Sequence, residues 1–300
     1  MDGSETAGWV SPLDRDHPLV GRIWDVAAAR FVEASTVSDR VQRARFVALG
    51  EQHDNADHHR LEAFLLAAAS TGRRPAVVFE MIDVDEQTTV DRAAAAHPGD
   101  PDAIGAAVDW AHSGWPSWAI YRPVFAVAVG RGLPMKGGGL DRALAHRVAH
   151  EGTAALAPDL VRRFALDTPL DPPVRAALRD EMRDAHCGML PDSMLDAMAL
   201  IQRARDAELA EKLAEAGADG AVLVAGNGHV RADRGVPRAF SRAVAEPLLT
   251  VALLEVRREW RQPAEYAAAF SASALPFDYV WFTPRASDVD HCAELREKRK

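Results

Sequence analysis

The stretch from 46 to 53, FVALGEQH, constrains this chain more than any other. Val47, Ala48 and Leu49 form an unbroken apolar run, the pattern of a strand covered on both faces. The run stops at Gly50, and Glu51 and His53 follow at once. The next segment, NADHHRLEAFLLAAA, has helical spacing, so strand, turn and helix succeed one another directly. In an open α/β sheet the residues just beyond the carboxyl ends of parallel strands collect at one rim, where ligands bind. Glu51 and His53 are expected there.

The same event recurs. In PAVVFEMID, Val77, Val78 and Phe79 form a buried strand that ends on Glu80. In AVLVAGNGHV, Val222 to Val224 lead through Gly226, Asn227 and Gly228 to His229. LLTVALLEV supplies another buried strand and FDYVWFTP a last one, expected at an edge. The helix after GEQH takes Asp54 or Asn55 as N-cap and turns Leu61, Phe64 and Leu65 to the sheet. HPGDP separates two helices between 84 and 109. Met194, Leu195, Met198, Ile201, Leu209 and Leu213 mark a long helix that Gly217 stops. GRIWDVAAARFVEASTVSDRVQRA is expected as one helix or two, with Trp24, Ala28 and Phe31 on a buried stripe. GGG at 137–139 lacks the nucleotide-loop patterns and is expected to make a tight turn. This alternation predicts an α/β fold, a mostly parallel β-sheet flanked by helices on both faces. The expected organisation is a helical lead-in over 1–45, one α/β domain over 46–285 with a helical insertion at about 151–216, and a tail over 286–300.

Composition excludes some function classes. A formal charge of −9 and a pI near 5.7 leave no concentrated basic face, so a nucleic-acid partner is not expected. No apolar run approaches the roughly 20 residues that span a bilayer, and the first residues lack a signal-peptide pattern. The expected location is therefore cytoplasmic for the chain as written, or periplasmic or envelope if a targeting segment has been removed; membrane association would require such a segment. Cys187 and Cys292 form no CxxC motif, and a disulfide between them needs an oxidising compartment.

Three strand ends thus deliver Glu51 with His53, then Glu80, then His229. Any one of these histidines taken alone is expected to be a hydrogen-bonded structural residue. Two imidazoles and two carboxylates at one rim are costly to bury unless they pair or bind something. Such a set suits a divalent metal held by His53, His229 and Glu80, or a His–Glu general base. His58 and His59 lie on a first helical turn that is normally solvated, so at most one is expected to face inward. Gln202 and Asp206, spaced i,i+4, face either solvent or the rim. Trp110, Trp115, Trp118 and Tyr121 either pin an irregular loop or wall an apolar pocket. His186 beside Cys187 reads as structural, and Ser113 and Ser193 lack the GxSxG context of a nucleophile.

LGEQHDNADHHRLE, VVFEM, SGWPSWAIYRP, QRARDAELA and VLVAGNGHVRADRGVP, in that order from about 46 to 240, resemble the ChaN-like family of haem-binding uptake proteins. That family belongs to a superfamily with Tiki-type metalloproteases and erythromycin esterases, whose GxxH or GExH turns and glutamate match Gly50, Glu51, His53, Glu80, Gly226 and His229 here. The resemblance implies a fold of the erythromycin esterase and ChaN type and a small-molecule ligand, haem or an iron complex. It places Gly50, Trp115, Trp118, Tyr121, Gly226, Asn227 and Gly228 around that ligand, with a homodimer left open. The alternative it implies is a metal-dependent hydrolase of amides or esters, with Zn or Mn at His53, His229 and Glu80 and with Glu51 as a further catalytic group. Haem iron accepts His or Tyr, and Tyr121, Tyr266 and Tyr279 are the tyrosines available. For an exported protein the resemblance also favours pairing of Cys187 with Cys292.

Overall fold

The computed structural model describes residues 8–297. In chain order the elements are β1 (Ile23–Asp25), β2 (Arg30–Val32), α1 (Ala34–Arg43), β3 (Phe46–Glu51), α2 (Ala56–Ala69), β4 (Ala76–Asp83), α3 (Gln87–Ala96), α4 (Pro101–Ala107), α5 (Trp118–Gly130) and β5 (Met135–Gly139). They continue with α6 (Arg142–Glu151), α7 (Pro158–Phe164), α8 (Pro172–Ala185), α9 (Leu195–Ala214), β6 (Ala221–Gly226), α10 (Asn227–Val230), α11 (Val236–Ala243), β7 (Leu248–Glu255), β8 (Tyr279–Thr283) and α12 (His291–Glu297). One sheet holds all the strands in the order β2-β1-β8-β7-β3-β6-β4-β5. The pairings from β8 to β5 are parallel, and β1 pairs antiparallel with both β8 and β2.

The apolar runs are buried on both faces, and the pleat decides which side chain goes where. Val47, Leu49, Val77, Phe79, Val222, Val224 and Val251 pack under α1, α2 and α5 with Leu65, Leu66 and Phe125. Phe46, Ala48, Val78, Leu223, Ala225 and Ala252 pack under α9 and α11 with Leu209, Leu213 and Phe240. Two helical layers therefore meet at each strand end. β3 lies between β6 and β7 in the middle of the sheet. Asn55 caps α2, its side chain accepting from the backbone N–H groups of Asp57 and His58.

Four expectations give way here. The stretch expected as helix from 21 to 44 opens as the β1–β2 hairpin, and only Ala34–Arg43 is helical. Its apolar residues are aromatic and β-branched, types that favour strands. Trp24 and Phe31 are cross-strand partners with ring centroids 4.9 Å apart, whereas Ala28 lies exposed in the turn. That hairpin covers β8, so FDYVWFTP is an interior strand and not an edge. Gly137, Gly138 and Gly139 lie within β5 and make no turn. A Cβ at Gly137 or Gly139 would come within 2.6 Å of the Asp83 or Glu80 carbonyl oxygen, so these glycines let β5 approach the irregular end of β4. Met194, expected in the buried stripe, is 42% exposed, because the long helix starts one residue later.

Cys187, just after α8, is disulfide-bonded to Cys292 in α12, closing a loop across 105 residues. Such a link restricts the unfolded chain more than the folded one. Reduction is expected to lower the stability by about 2–4 kcal/mol, read as a lower urea midpoint. Two reactive thiols in the unreduced, denatured protein would show that the pair does not form.

Candidate functional site at the strand ends

Glu51 closes β3 and pairs in register with Gly226 of β6. It follows Val47 and Leu49 in alternation and so faces α2 and α5. There its Oε1 lies 2.8 Å from His53 Nδ1 and accepts the Tyr121 hydroxyl at 3.0 Å, while its Oε2 lies 2.7 Å from His59 Nδ1. Glu62, one turn along α2, puts its Oε2 2.9 Å from the same His59 nitrogen. Glu80 follows Val78 and faces α9 on the other side of the sheet. Its Oε2 accepts the Gly226 N–H at 2.8 Å, and its Oε1 lies 3.3 Å from His229 Nε2. His229 in turn places Nδ1 2.7 Å from Asp206 of α9, with the Gln202 amide 3.2 Å away.

His53 joins the two sides. Its Nε2 stands 4.0 Å from Glu80 Oε2, and a Cβ at Gly226 would fall 2.9 Å from that nitrogen. Glycine there leaves room for the imidazole. Gly50 has a similar role one residue earlier, where a Cβ would meet Asn227 Oδ1 at 2.5 Å. The His53 side chain is 35% exposed, whereas those of Glu51, His59, Glu80, Asp206 and His229 are buried. Trp115 packs edge-on against the His53 ring with centroids 4.9 Å apart.

Charge balance holds this network together. Burial opposes charge on every member, and for Glu51, His53, Glu80 and His229 the carboxylate–imidazole pairs overcome it. Against desolvation, Glu80 and Asp206 hold His229 at about 10, and the hydrogen bond to Glu51 together with Glu80 holds His53 at about 9. Burial raises Glu51, but His59 and His53 outweigh it and bring the carboxyl down to about 2. Glu80 is held far below the usual carboxylate range, since His229, His53 and the Gly226 N–H outweigh its burial. Glu62 goes the other way, pushed up to about 8 by burial and by Glu51. Burial likewise lifts Asp206 to about 6.

The sequence-selected residues are therefore not equivalent. Glu51, His53, Glu80 and His229 converge, with Gly50 and Gly226 beneath them and Tyr121 and Trp115 beside them. Trp118 points elsewhere: it packs on Trp110 and Phe125, and its indole N–H donates to Asp102. Asn227 braces the turn by donating to the Leu253 carbonyl, and Gly228 faces Glu181. His186 donates to the Met182 carbonyl. The expectation that at most one of His58 and His59 faces inward is corrected, because both are fully buried. Residues 8–11 cross this turn, and Asp57 accepts their Val10 and Ser11 N–H groups, which removes it from solvent. Glu62 escaped sequence reasoning. Its signal was the spacing: the buried stripe of Leu65, Leu66 and Ala69 continues one turn back to Glu62, and another to His58 and His59.

Glu51, His59 and Glu62 bring three donor atoms close enough together to hold an ion, and at the rim His229 Nε2 and His53 Nε2 flank Glu80 at 3.3 and 4.0 Å. His58 belongs to neither. Its Nδ1 accepts the Gln52 N–H, and its Nε2 donates to Thr283 Oγ1, whose hydroxyl donates to the Leu254 carbonyl. Burial and then the His59 charge lower its pKa to about 3. Because the unfolded chain takes up this proton and the folded one does not, stability from His58 is complete above the ordinary value near 6.5. It is lost as pH falls towards 3, by up to about 1.4 kcal/mol per pH unit. The ring ¹⁵N signals should show a neutral, Nε2-protonated imidazole from pH 8 to pH 5; a titration near pH 6.5 would contradict this.

Comparison with known proteins agrees with this architecture. The structure recorded as cofacial heme binding to ChaN of Campylobacter jejuni matches with a TM-score of 0.64 at 19% identity, covering 86% of this chain and 95% of that one. At that identity the likeness is one of fold. Weaker likenesses, which carry no argument, are to the type III effector HopBA1 (TM-score 0.45, 12% identity, 83% and 93% covered) and to a mutant erythromycin esterase EreC in its open conformation (0.43, 11%, 86% and 95%). No curated protein matches the chain. The family model described as haem-binding uptake, Tiki superfamily, ChaN matches residues 37–240, which is more than half of the chain and holds every member of the network. The chain belongs to the ChaN family of haem-binding uptake proteins, within the Tiki superfamily.

Proposed function

We propose that the protein binds haem, or another iron compound, at the carboxyl-end rim of the sheet, with His53 presenting the ligating nitrogen. Family membership supports the class of ligand. The observation that carries the placement is the state of His53, 35% exposed beside Trp115, with Nδ1 tied to Glu51 and, among the described residues, no hydrogen bond to Nε2. A carboxylate behind one imidazole nitrogen fixes the ring, and the other nitrogen ligates when the iron displaces its proton. Haem iron accepts such an imidazole. The tyrosines fit less well. The Tyr121 hydroxyl donates to Glu51, and burial and that carboxylate push its pKa far up; the buried Tyr266 oxygen accepts the Arg257 N–H. Tyr279 is also buried, and burial raises its pKa. The Cys187–Cys292 disulfide supports an oxidising compartment such as the periplasm or envelope over the cytoplasm.

A second reading rests on Glu80, which both Nε2 atoms face, His229 at 3.3 Å and His53 at 4.0 Å, each ring backed through Nδ1 by a carboxylate. His53, His229 and Glu80 would hold a divalent ion such as Zn²⁺ or Mn²⁺, whose chemistry when bound is to polarise a carbonyl and lower the pKa of a water. In this reading of a metal-dependent hydrolase, Glu51 and Asp206 keep the two rings oriented, and the half-exposed side of His53 receives an ester or amide.

Haemin titration followed by absorbance tests the first reading. The wild type should give a saturable Soret shift at roughly one haem per chain, and His53→Ala should lose it. An unchanged shift in His53→Ala would move the ligand away from this rim, and no shift in the wild type would remove the haem reading. For the hydrolase reading, Mn²⁺- or Zn²⁺-dependent cleavage of a chromogenic ester should vanish in His229→Ala. Metal content that is the same in the wild type and that variant would exclude the rim as the ion site.

A further inference from the structure

Behind His53, on the α2 and α5 face, three potential ligands converge that the rim does not use. His59 Nδ1 lies 2.7 Å from Glu51 Oε2 and 2.9 Å from Glu62 Oε2, and all three side chains are buried. His59 Nε2 is 3.0 Å from the His53 carbonyl oxygen, which can only accept, so Nε2 carries a hydrogen. A neutral ring then turns its Nδ1 lone pair towards two carboxylate oxygens. Three lone-pair donors at these separations need a proton or a cation among them. A proton on Nδ1 satisfies that nitrogen but gives one N–H to two carboxyl oxygens in a site closed to water. It also leaves Glu62 Oε1, which is buried and has no hydrogen-bond partner among the described residues.

We propose that Glu51, His59 and Glu62 form a buried site for a first-row divalent cation, with His59 Nδ1, Glu51 Oε2 and the Glu62 carboxylate as ligands. Two carboxylates and an imidazole are the donor types that Zn²⁺, Mn²⁺ and Fe²⁺ take. The ion's two charges match those of the two carboxylates, and it gives Glu62 Oε1 a partner. The surroundings already orient the donors. The Nε2 hydrogen bond to the His53 carbonyl fixes the His59 ring, and the Tyr121 ring lies over it with centroids 3.8 Å apart. Glu51 Oε1 is taken by His53 and Tyr121, which leaves Oε2 for the ion. Ligand distances of about 2.0–2.2 Å require the donor atoms to spread by a few tenths of an ångström. The site neither depends on the haem reading nor shares a ligand with His53, His229 and Glu80; it is a positioning site that holds Glu51, and through it His53, in place.

Glu62→Gln keeps the side-chain shape and removes one ligand charge. After incubation with Zn²⁺ or Mn²⁺ and desalting, the wild type should hold one equivalent more than Glu62→Gln, and His229→Ala should retain that equivalent. Equal metal in the wild type and a folded Glu62→Gln would overturn the proposal and leave a buried proton in its place. The wild type alone decides if that variant fails to fold. The His59 Nδ1 signal, followed by ¹⁵N resonance in chelator-treated and Zn²⁺-loaded protein, should shift on loading, and an unchanged signal would overturn the proposal. Haemin binding reports on His53 separately, so either reading can fail while the other stands.

Discussion

Charge compensation at the ends of β3 and β4 is the interaction on which the rest of the site depends. Glu51 ends β3, and Glu80 lies three residues before the end of β4, a strand expected from the sequence to stop at Glu80 that runs on to Asp83. Both are buried, where an isolated carboxylate would be strongly destabilising. Each is neutralised from a different helical layer or turn: Glu51 by His59 of α2 and by His53, Glu80 by His229 and the Gly226 N–H. Removing one member leaves its partner buried and unpaired, so these residues act as a unit. A buried ion pair is weak evidence for stability, and its cost is better explained by what the groups do at the rim.

The sheet converts alternation along a strand into a two-sided site. Glu51 falls on the face under α2 and α5, Glu80 on the face under α9, and a planar pleat cannot bring both carboxylates to one side. His53 crosses the strand ends above Gly226 and touches both halves. It is also the one member of the network with substantial exposure, so a ligand reaching this site meets His53 first. Position at the carboxyl ends of parallel strands is where open α/β sheets bind ligands, and here the chemistry of the residues coincides with that placement.

Much of this was legible in the chain itself. Unbroken apolar runs at 47–49, 77–79 and 222–224 announced doubly covered strands, and the ionisable residues within five positions after each run located Glu51, His53, Glu80 and His229. The N-cap at Asn55 and the long helix ending near Gly217 were also readable, since capping and periodicity are local properties. Less was legible where local signals were weak or misleading. The β1–β2 hairpin contains too few residues to show a period, and it is a strand pair because β8 offers it an edge.

What the sequence by itself determined is the fold class, a mostly parallel sheet between two helical layers, and the residues at its strand ends. Those follow from side-chain type and spacing along a few consecutive residues. Only the tertiary structure decided which partners those residues meet. Asp206 and Gln202 turn to His229 because α9 packs against the face that Glu80 shares. His58, His59 and Glu62 are buried because the chain from Val10 to Ser11 crosses the start of α2 and because β3 and α5 close over it. Spacing along α2 puts these residues on its inward stripe, but whether a helix's first turn is closed off from water depends on chain segments distant in sequence.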